Sequence, residues 1–235
     1  VKVSDGIPMP DNQSSVAADA KDNLYYVWFD ERFTLPFLAV SRDHGMTWGK
    51  PIMVAPPGVR EVGWPTIAAG EAGRIAITFP GTTIEDQGDL TRPWNSYVVV
   101  STDALSANPT FLSNIANPGG PSDPVHRGDC VVGGGRCGRM YDFLDIVVAP
   151  NSTGTVWAAA VDTCTTRDKC NSVRATGFNA GPETHGVSGD MKGVAIKQIG
   201  GPTLRGPLRD IRVAGATTTT KTAHGNLPTC PALPV

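Results

Sequence analysis

One short pattern occurs three times in this chain, and a repeat of that kind limits the fold more than any single motif does. Val16-Ala17-Ala18-Asp19 leads through Lys21-Asp22-Asn23 into Leu24 to Phe29: a short apolar run, a turn and a β-rich run. The same order returns at Ile67-Ala68-Ala69-Gly70, which turns through Glu71-Ala72-Gly73 into Arg74 to Phe79. A third copy runs from Val147 to Pro150, turns through Asn151-Ser152-Thr153-Gly154 and continues from Thr155 to Val161. The starts lie 51 and then 80 residues apart, so the unit keeps its order while its loops vary in length. β-Branched and aromatic residues fill the longer runs and turn formers separate them, which predicts antiparallel hairpins. Strand-rich units of about 40 to 60 residues bury their apolar faces by stacking on their neighbours.

Composition supports the all-β expectation, since 27 glycines and 20 prolines make up a fifth of the 235 residues and would interrupt a helical bundle. The 20 basic and 22 acidic side chains leave a net charge of −2, with no Lys/Arg-dense run. That argues against a nucleic-acid partner, whose phosphates call for a basic surface. No apolar run reaches the length of about 18 residues that a membrane-spanning helix needs, so no membrane span is expected.

Two further β-prone runs, Leu35 to Val40 and Ser96 to Val100, supply a third strand, and each leads into Ser-x-Asp. The first continues as Ser41-Arg42-Asp43-His44-Gly45-Met46-Thr47-Trp48. In such a segment the Ser and Asp side chains can bond backbone groups of a tight turn, Gly45 permits a positive φ, and Trp48 offers a large apolar anchor. These eight positions, S-x-D-x-G-x-T-W, resemble the Asp-box of sialidase-like (BNR-repeat) β-propellers. The second copy keeps Ser101 and Asp103, lacks the Gly and Trp, and offers Phe111 as anchor.

The resemblance implies a β-propeller of sialidase type, with about three four-stranded blades in this chain at about 14–56, 64–117 and 140–213. Residues 214–235 then read as an extended Thr- and Pro-rich tail. The family closes a ring of about six blades. This chain is therefore expected to be the C-terminal half of a ring that a second polypeptide or a second copy completes. In the family the Asp-box lies at the end of the blade opposite the substrate pocket, so Asp43 is expected to shape the fold rather than to catalyse.

The opposite face gathers the chemistry-bearing candidates: Asp30, Glu31 and Arg32; Arg60 and Glu61; Glu85, Asp86, Asp89 and Arg92; Arg127 to Tyr141; and Asp162 to Arg174. Carboxylates, arginines and a tyrosine together suit a polar or anionic glycan, and a solvated loop surface has the same composition. Sialidases clamp a substrate carboxylate with three arginines, attack with a Tyr activated by a Glu, and use an Asp as acid/base. The resemblance assigns Tyr141, in Tyr141-Asp142-Phe143-Leu144, as nucleophile and Glu61 as its activator. It sets Arg60 and Arg139 toward the substrate, with Asp30 and Glu31 beside them. The family's acid/base Asp and first arginine sit early in the ring and have no counterpart here, so this chain alone is not expected to hold a complete site. Two readings follow: a glycan-binding segment that takes part in exo-glycosidase hydrolysis once its ring is complete, or a non-catalytic propeller subunit of a surface or extracellular assembly.

Cys130 and Cys137 flank a Gly-rich loop and Cys164 and Cys170 a short polar one, leaving Cys230 over. Both spacings suit local disulfides and hence an oxidising, extracellular compartment; free thiols and a zinc site are the alternatives. No cofactor is implied. Loop carboxylates such as Asp86 and Asp89 are the candidates for a structural Ca²⁺, without an EF-hand pattern, and His44, His126, His185 and His224 form no metal-ligand spacing.

Overall fold

The computed structural model describes residues 3, 14–30, 35–85, 92–127, 144–162, 192–212 and 222–223. These residues form strands and turns and no helix, in several antiparallel sheets. The first sheet is a meander of β1 (Ser14–Ala18), β2 (Leu24–Phe29), β3 (Pro36–Ser41) and β4 (Ile52–Met53). The second repeats it with β6 (Thr66–Ala69), β7 (Ile75–Thr82), β8 (Pro93–Ser101) and β9 (Leu112–Ile115). Three short strands extend this second sheet. β5 (Glu61–Val62) pairs with the end of β7, β10 (His126–Arg127) with the start of β8, and β16 (Thr222–Ala223) with β9. The third sheet has three described strands, β11 (Ile146–Val148), β12 (Val156–Asp162) and β13 (Lys192–Lys197), followed by a hairpin of β14 (Gly200–Pro202) and β15 (Asp210–Arg212).

The second sheet lies between the other two, and its sequence shows it. Every residue of β7 is buried, because alternate side chains serve two different seams. Ile75, Ile77 and Phe79 join Tyr25, Val27 and Leu38 of the first sheet, while Ala76 meets Ile146, Val148, Val156 and Ala158 of the third. Strand β7 runs on through Pro80 and Gly81, a pair that would read as a break. β6 pairs with it only as far as Thr78 and β5 takes over at Gly81, so Pro80 falls between the two short partners. A Cβ on Gly81 would stand 3.1 Å from the Tyr97 ring, so the missing side chain lets that ring close over the strand.

The first strands of the three sheets lie side by side, β1 against β6 and β6 against β11. Their turns repeat one backbone form, with Asp22 (φ 60°), Gly73 (φ 76°) and Gly154 (φ 60°) all left-handed at the same position. This alignment corrects the spacing of the third copy. Asn151 corresponds to Gly70 and Asp19, which makes the second offset 81 rather than 80 residues. A slip of one residue exchanges the two faces of a strand. Val148, rather than Val147, therefore faces the second sheet, and Val147 is 51% exposed. Neighbouring turns are bonded to each other: Ala20 N–H to Gly70 O at 2.9 Å, Glu71 N–H to Leu204 O at 2.8 Å and Leu204 N–H to Thr153 O at 3.0 Å.

Candidate functional site

The Ser41–Trp48 segment forms the closed turn that its side chains suggest. Ser41 Oγ donates to Asp43 Oδ1 at 2.8 Å and accepts the Gly45 N–H at 2.8 Å. Thr47 gives Asp43 both its N–H, at 2.8 Å to Oδ1, and its hydroxyl, at 2.6 Å to Oδ2. The Thr47 hydroxyl, then the Thr47 N–H and the Ser41 hydroxyl, hold the Asp43 carboxyl down at about 2. His44 and Gly45 take positive φ values of 56° and 85°, and Trp48 meets Tyr26 edge-on, with ring centroids 6.0 Å apart.

The second turn uses the same bonds over a longer loop. Ser101 Oγ donates to Asp103 Oδ1 at 3.0 Å, and Thr110 N–H reaches that oxygen at 2.8 Å in the place of Thr47. Phe111 follows it, buried in the core shared by the first two sheets. Arg42 donates to Leu105 O and so links the two turns. Asp43 and Asp103 are thus occupied by their own turns, which gives them structural work.

The other end of the sheets, where β2 joins β3, β7 joins β8 and β12 joins β13, carries the polar chemistry. Asp30 follows β2 and is fully buried, its N–H bonded to Leu35 O at 2.9 Å. Glu61, on β5, is 2% exposed, and Arg92 is 0% exposed; Arg92 Nη1 lies 2.6 Å from Glu61 Oε2 and also donates to Ile84 O at 3.3 Å. The guanidinium sits 5.0 Å above the Trp94 ring centroid, a cation–π contact strengthened by burial. His126, buried, stands opposite Trp94 across the β8–β10 ladder, with Arg127 opposite Pro93. Behind them Asn117 Nδ2 donates to Asn95 Oδ1 at 2.7 Å and its Oδ1 accepts the Ser96 N–H at 2.9 Å. Burial pushes the Tyr97 phenol up, against a smaller lowering from Asn95.

Of the residues assigned from sequence, Arg60 and Glu61 are neighbours at this end and Asp30 is at the same end on the first sheet. Arg60 is exposed, and its N–H is bonded to Thr82 O at 2.8 Å. The Glu61 carboxylate meets Arg92. Tyr141, Arg139, Glu31, Asp86, Asp89 and the cysteines Cys130, Cys137, Cys164, Cys170 and Cys230 lie outside the described residues. In the sequence Arg92 stands as one of many loop charges, His126 as a histidine without metal-ligand spacing, and Trp94 in no motif. The Glu61–Arg92 pairing crosses 31 residues and leaves no local motif to read. Among the described residues no group of three or more His, Cys, Asp or Glu is placed to hold a metal ion, and no helix is long and apolar enough to cross a membrane.

No protein-family model matches this sequence, and no curated protein matches it.

Proposed function

We propose that this chain is a segment of an extracellular, sialidase-like β-propeller that binds glycans at the end carrying Asp30, Arg60, Glu61 and Arg92. The observation that carries the reading is the pair of Ser–Asp–Thr turns, Ser41–Asp43–Thr47 and Ser101–Asp103–Thr110, at matching places on the four-stranded meanders of the first two sheets. Their occupied carboxylates leave the opposite end as the one with chemistry to offer. Exposed Arg60 suits an acidic sugar, since a guanidinium grips a carboxylate through two parallel hydrogen bonds. Hydrolysis would call on Tyr141 as nucleophile and on a base beside it. The base assigned to it, Glu61, is held by Arg92, which favours binding over turnover.

Calorimetry against a panel of glycans ending in acidic or neutral sugars tests this. An acidic glycan is expected to bind, and Arg60→Ala to weaken it by about tenfold, the loss of one charge-assisted contact. Failure of every glycan to bind would overturn the reading. Turnover of a sialoside that Tyr141→Phe abolishes would add catalysis to it.

A second reading, a non-catalytic subunit of an assembly, is favoured by the outward faces of the flanking sheets. Val16 is 59% exposed on the first, and Val147 and Trp157 are 51% and 38% exposed on the third. Native mass distinguishes it: an assembly that Trp157→Glu disperses, with no glycan bound, would establish this reading in place of the first.

A further inference from the structure

The turn between β11 and β12 carries Asn151-Ser152-Thr153, the Asn-x-Thr pattern that accepts N-linked glycans. The fold prepares this asparagine for that role. Its Oδ1 accepts the Gly154 N–H at 2.8 Å, the Thr153 N–H at 3.2 Å, the Thr155 N–H at 3.4 Å and the Thr153 hydroxyl at 2.9 Å. The carboxamide is thereby fixed with its oxygen turned into the loop. Asn151 itself is exposed, and its Nδ2 has no partner among the described residues and stands open to solvent. From behind, the Leu204 and Arg205 N–H groups brace the turn by bonding to Thr153 O at 3.0 and 3.1 Å.

The other two copies of this turn use the same position differently. Asp19 is 5% exposed and its carboxylate takes the Gly73 N–H at 3.0 Å, while at Gly70 a Cβ would lie 2.1 Å from Leu204 O. Of the three, only the third presents an amide outward. Asn108-Pro109-Thr110, between β8 and β9, has the same outer residues but is barred by its proline. In transfer from a polyprenyl-diphosphate oligosaccharide, Nδ2 attacks C1 of the first sugar. The Nδ2–C1 bond forms, the C1–O bond to the diphosphate breaks, the lipid diphosphate leaves, and one amide proton passes to a base of the transferase. Nδ2 keeps its other hydrogen and Oδ1 keeps all four of its bonds, so the turn survives the attachment. A glycan here projects from the end of the sheets that carries the Asp43 turn, away from Asp30 and Arg60.

We propose that Asn151 is an N-glycosylation site; this rests on the extracellular location proposed for the chain and not on the ligand proposed for its other end. The full chain secreted from a eukaryotic cell tests it. Enzymatic deglycosylation in heavy-oxygen water converts each glycosylated Asn to a labelled Asp, which peptide mapping then locates. Label is expected at Asn151 and none at Asn108. Mapping also separates Asn151 from Asn12, whose Asn12-Gln13-Ser14 fits the same pattern. Asn151→Gln and Thr153→Ala should each abolish the label at this turn, and Thr153→Ser should retain it. An unlabelled Asn151 in the secreted chain would overturn the proposal, as would label that survives Thr153→Ala. The glycosylated chain and Asn151→Gln should bind an acidic glycan equally. Binding by neither would overturn the function proposed for the opposite end and leave the modification standing.

Discussion

The Tyr25 hydroxyl donates to Asp19 Oδ2 across 2.6 Å, and the Gly73 N–H of the adjoining sheet reaches both oxygens at 3.0 Å. One strand–turn pair of the first sheet is thereby fastened to the turn of the second. Burial would raise the Asp19 carboxyl, but the hydrogen bonds from Tyr25, Gly73, Asn23 and Lys21 together hold it below its ordinary value. Burial, and then the bond to Asp19, push the Tyr25 phenol far above its own.

Tyr25→Phe should therefore cost about 1–2 kcal/mol, the loss of a buried bond to a charged acceptor. The pH dependence has two signs. Tyr25, with its folded value raised, contributes stability that is complete below the ordinary value of 10.0 and is lost as the pH climbs above it. Asp19, with its folded value lowered, contributes stability that is present above 3.8 and is lost as the pH falls below it. Urea unfolding across the pH range checks both, and the Phe variant should show a flatter alkaline limb than the parent.

Asp43 titrates alone at an exposed turn, so its carbon resonance should report a value near 2. Removing the Thr47 hydroxyl by Thr47→Val takes away the bond at 2.6 Å, the largest lowering influence. The resonance should then titrate closer to 3.8. The turn's contribution to stability is lost as the pH falls from about 4 toward the folded value. An unchanged titration in the variant would remove Thr47 from the account of this turn.

Glu61 and Arg92 are both buried, and their charges answer one another. Arg92→Met alone strands a carboxylate and should cost about 3–5 kcal/mol, as should Glu61→Leu alone. The double variant should recover most of that loss, since a matched apolar pair leaves no charge to solvate. A double-mutant cycle by chemical denaturation measures the coupling.

At Gly70 a Cβ would lie 2.1 Å from Leu204 O, where the link between the second and third sheets passes. Gly70→Ala should destabilise by about 1–3 kcal/mol or more, as overpacking does. Hydrogen exchange should place the effect at Glu71 and Leu204, whose backbone bond of 2.8 Å is the one displaced.

Much of this was legible where the cause is local. The Asp43 turn could be read because Ser41, Gly45 and Thr47 all bond within a few residues of it. Leu24 to Phe29 could be read as a strand from its β-rich residues alone, while the structure shows which face each takes, Tyr25 and Val27 toward the second sheet and Tyr26 and Trp28 away from it. The second turn was half legible, because three extra residues move Thr110 away from the place of Thr47 and the eight-position pattern no longer fits. The third repeat was read one residue out of register, since Val147 and Val148 are the same residue type and only the left-handed Gly154 fixes the phase. The Glu61–Arg92–Trp94 cluster was hidden because loop length, not local pattern, brings these residues together.

The central claim is that ligand recognition belongs to the end with Asp30, Arg60 and Arg127, and that the Asp43 and Asp103 turns are structural. Backbone amide shifts recorded while an acidic glycan is titrated into the labelled chain test it most directly. The account predicts perturbations clustered at Asp30, Arg60, Thr82 to Glu85, Arg127 and Asp162. Shifts concentrated on residues 41–48 and 101–111 would contradict it, as would a spectrum that no glycan of the panel perturbs.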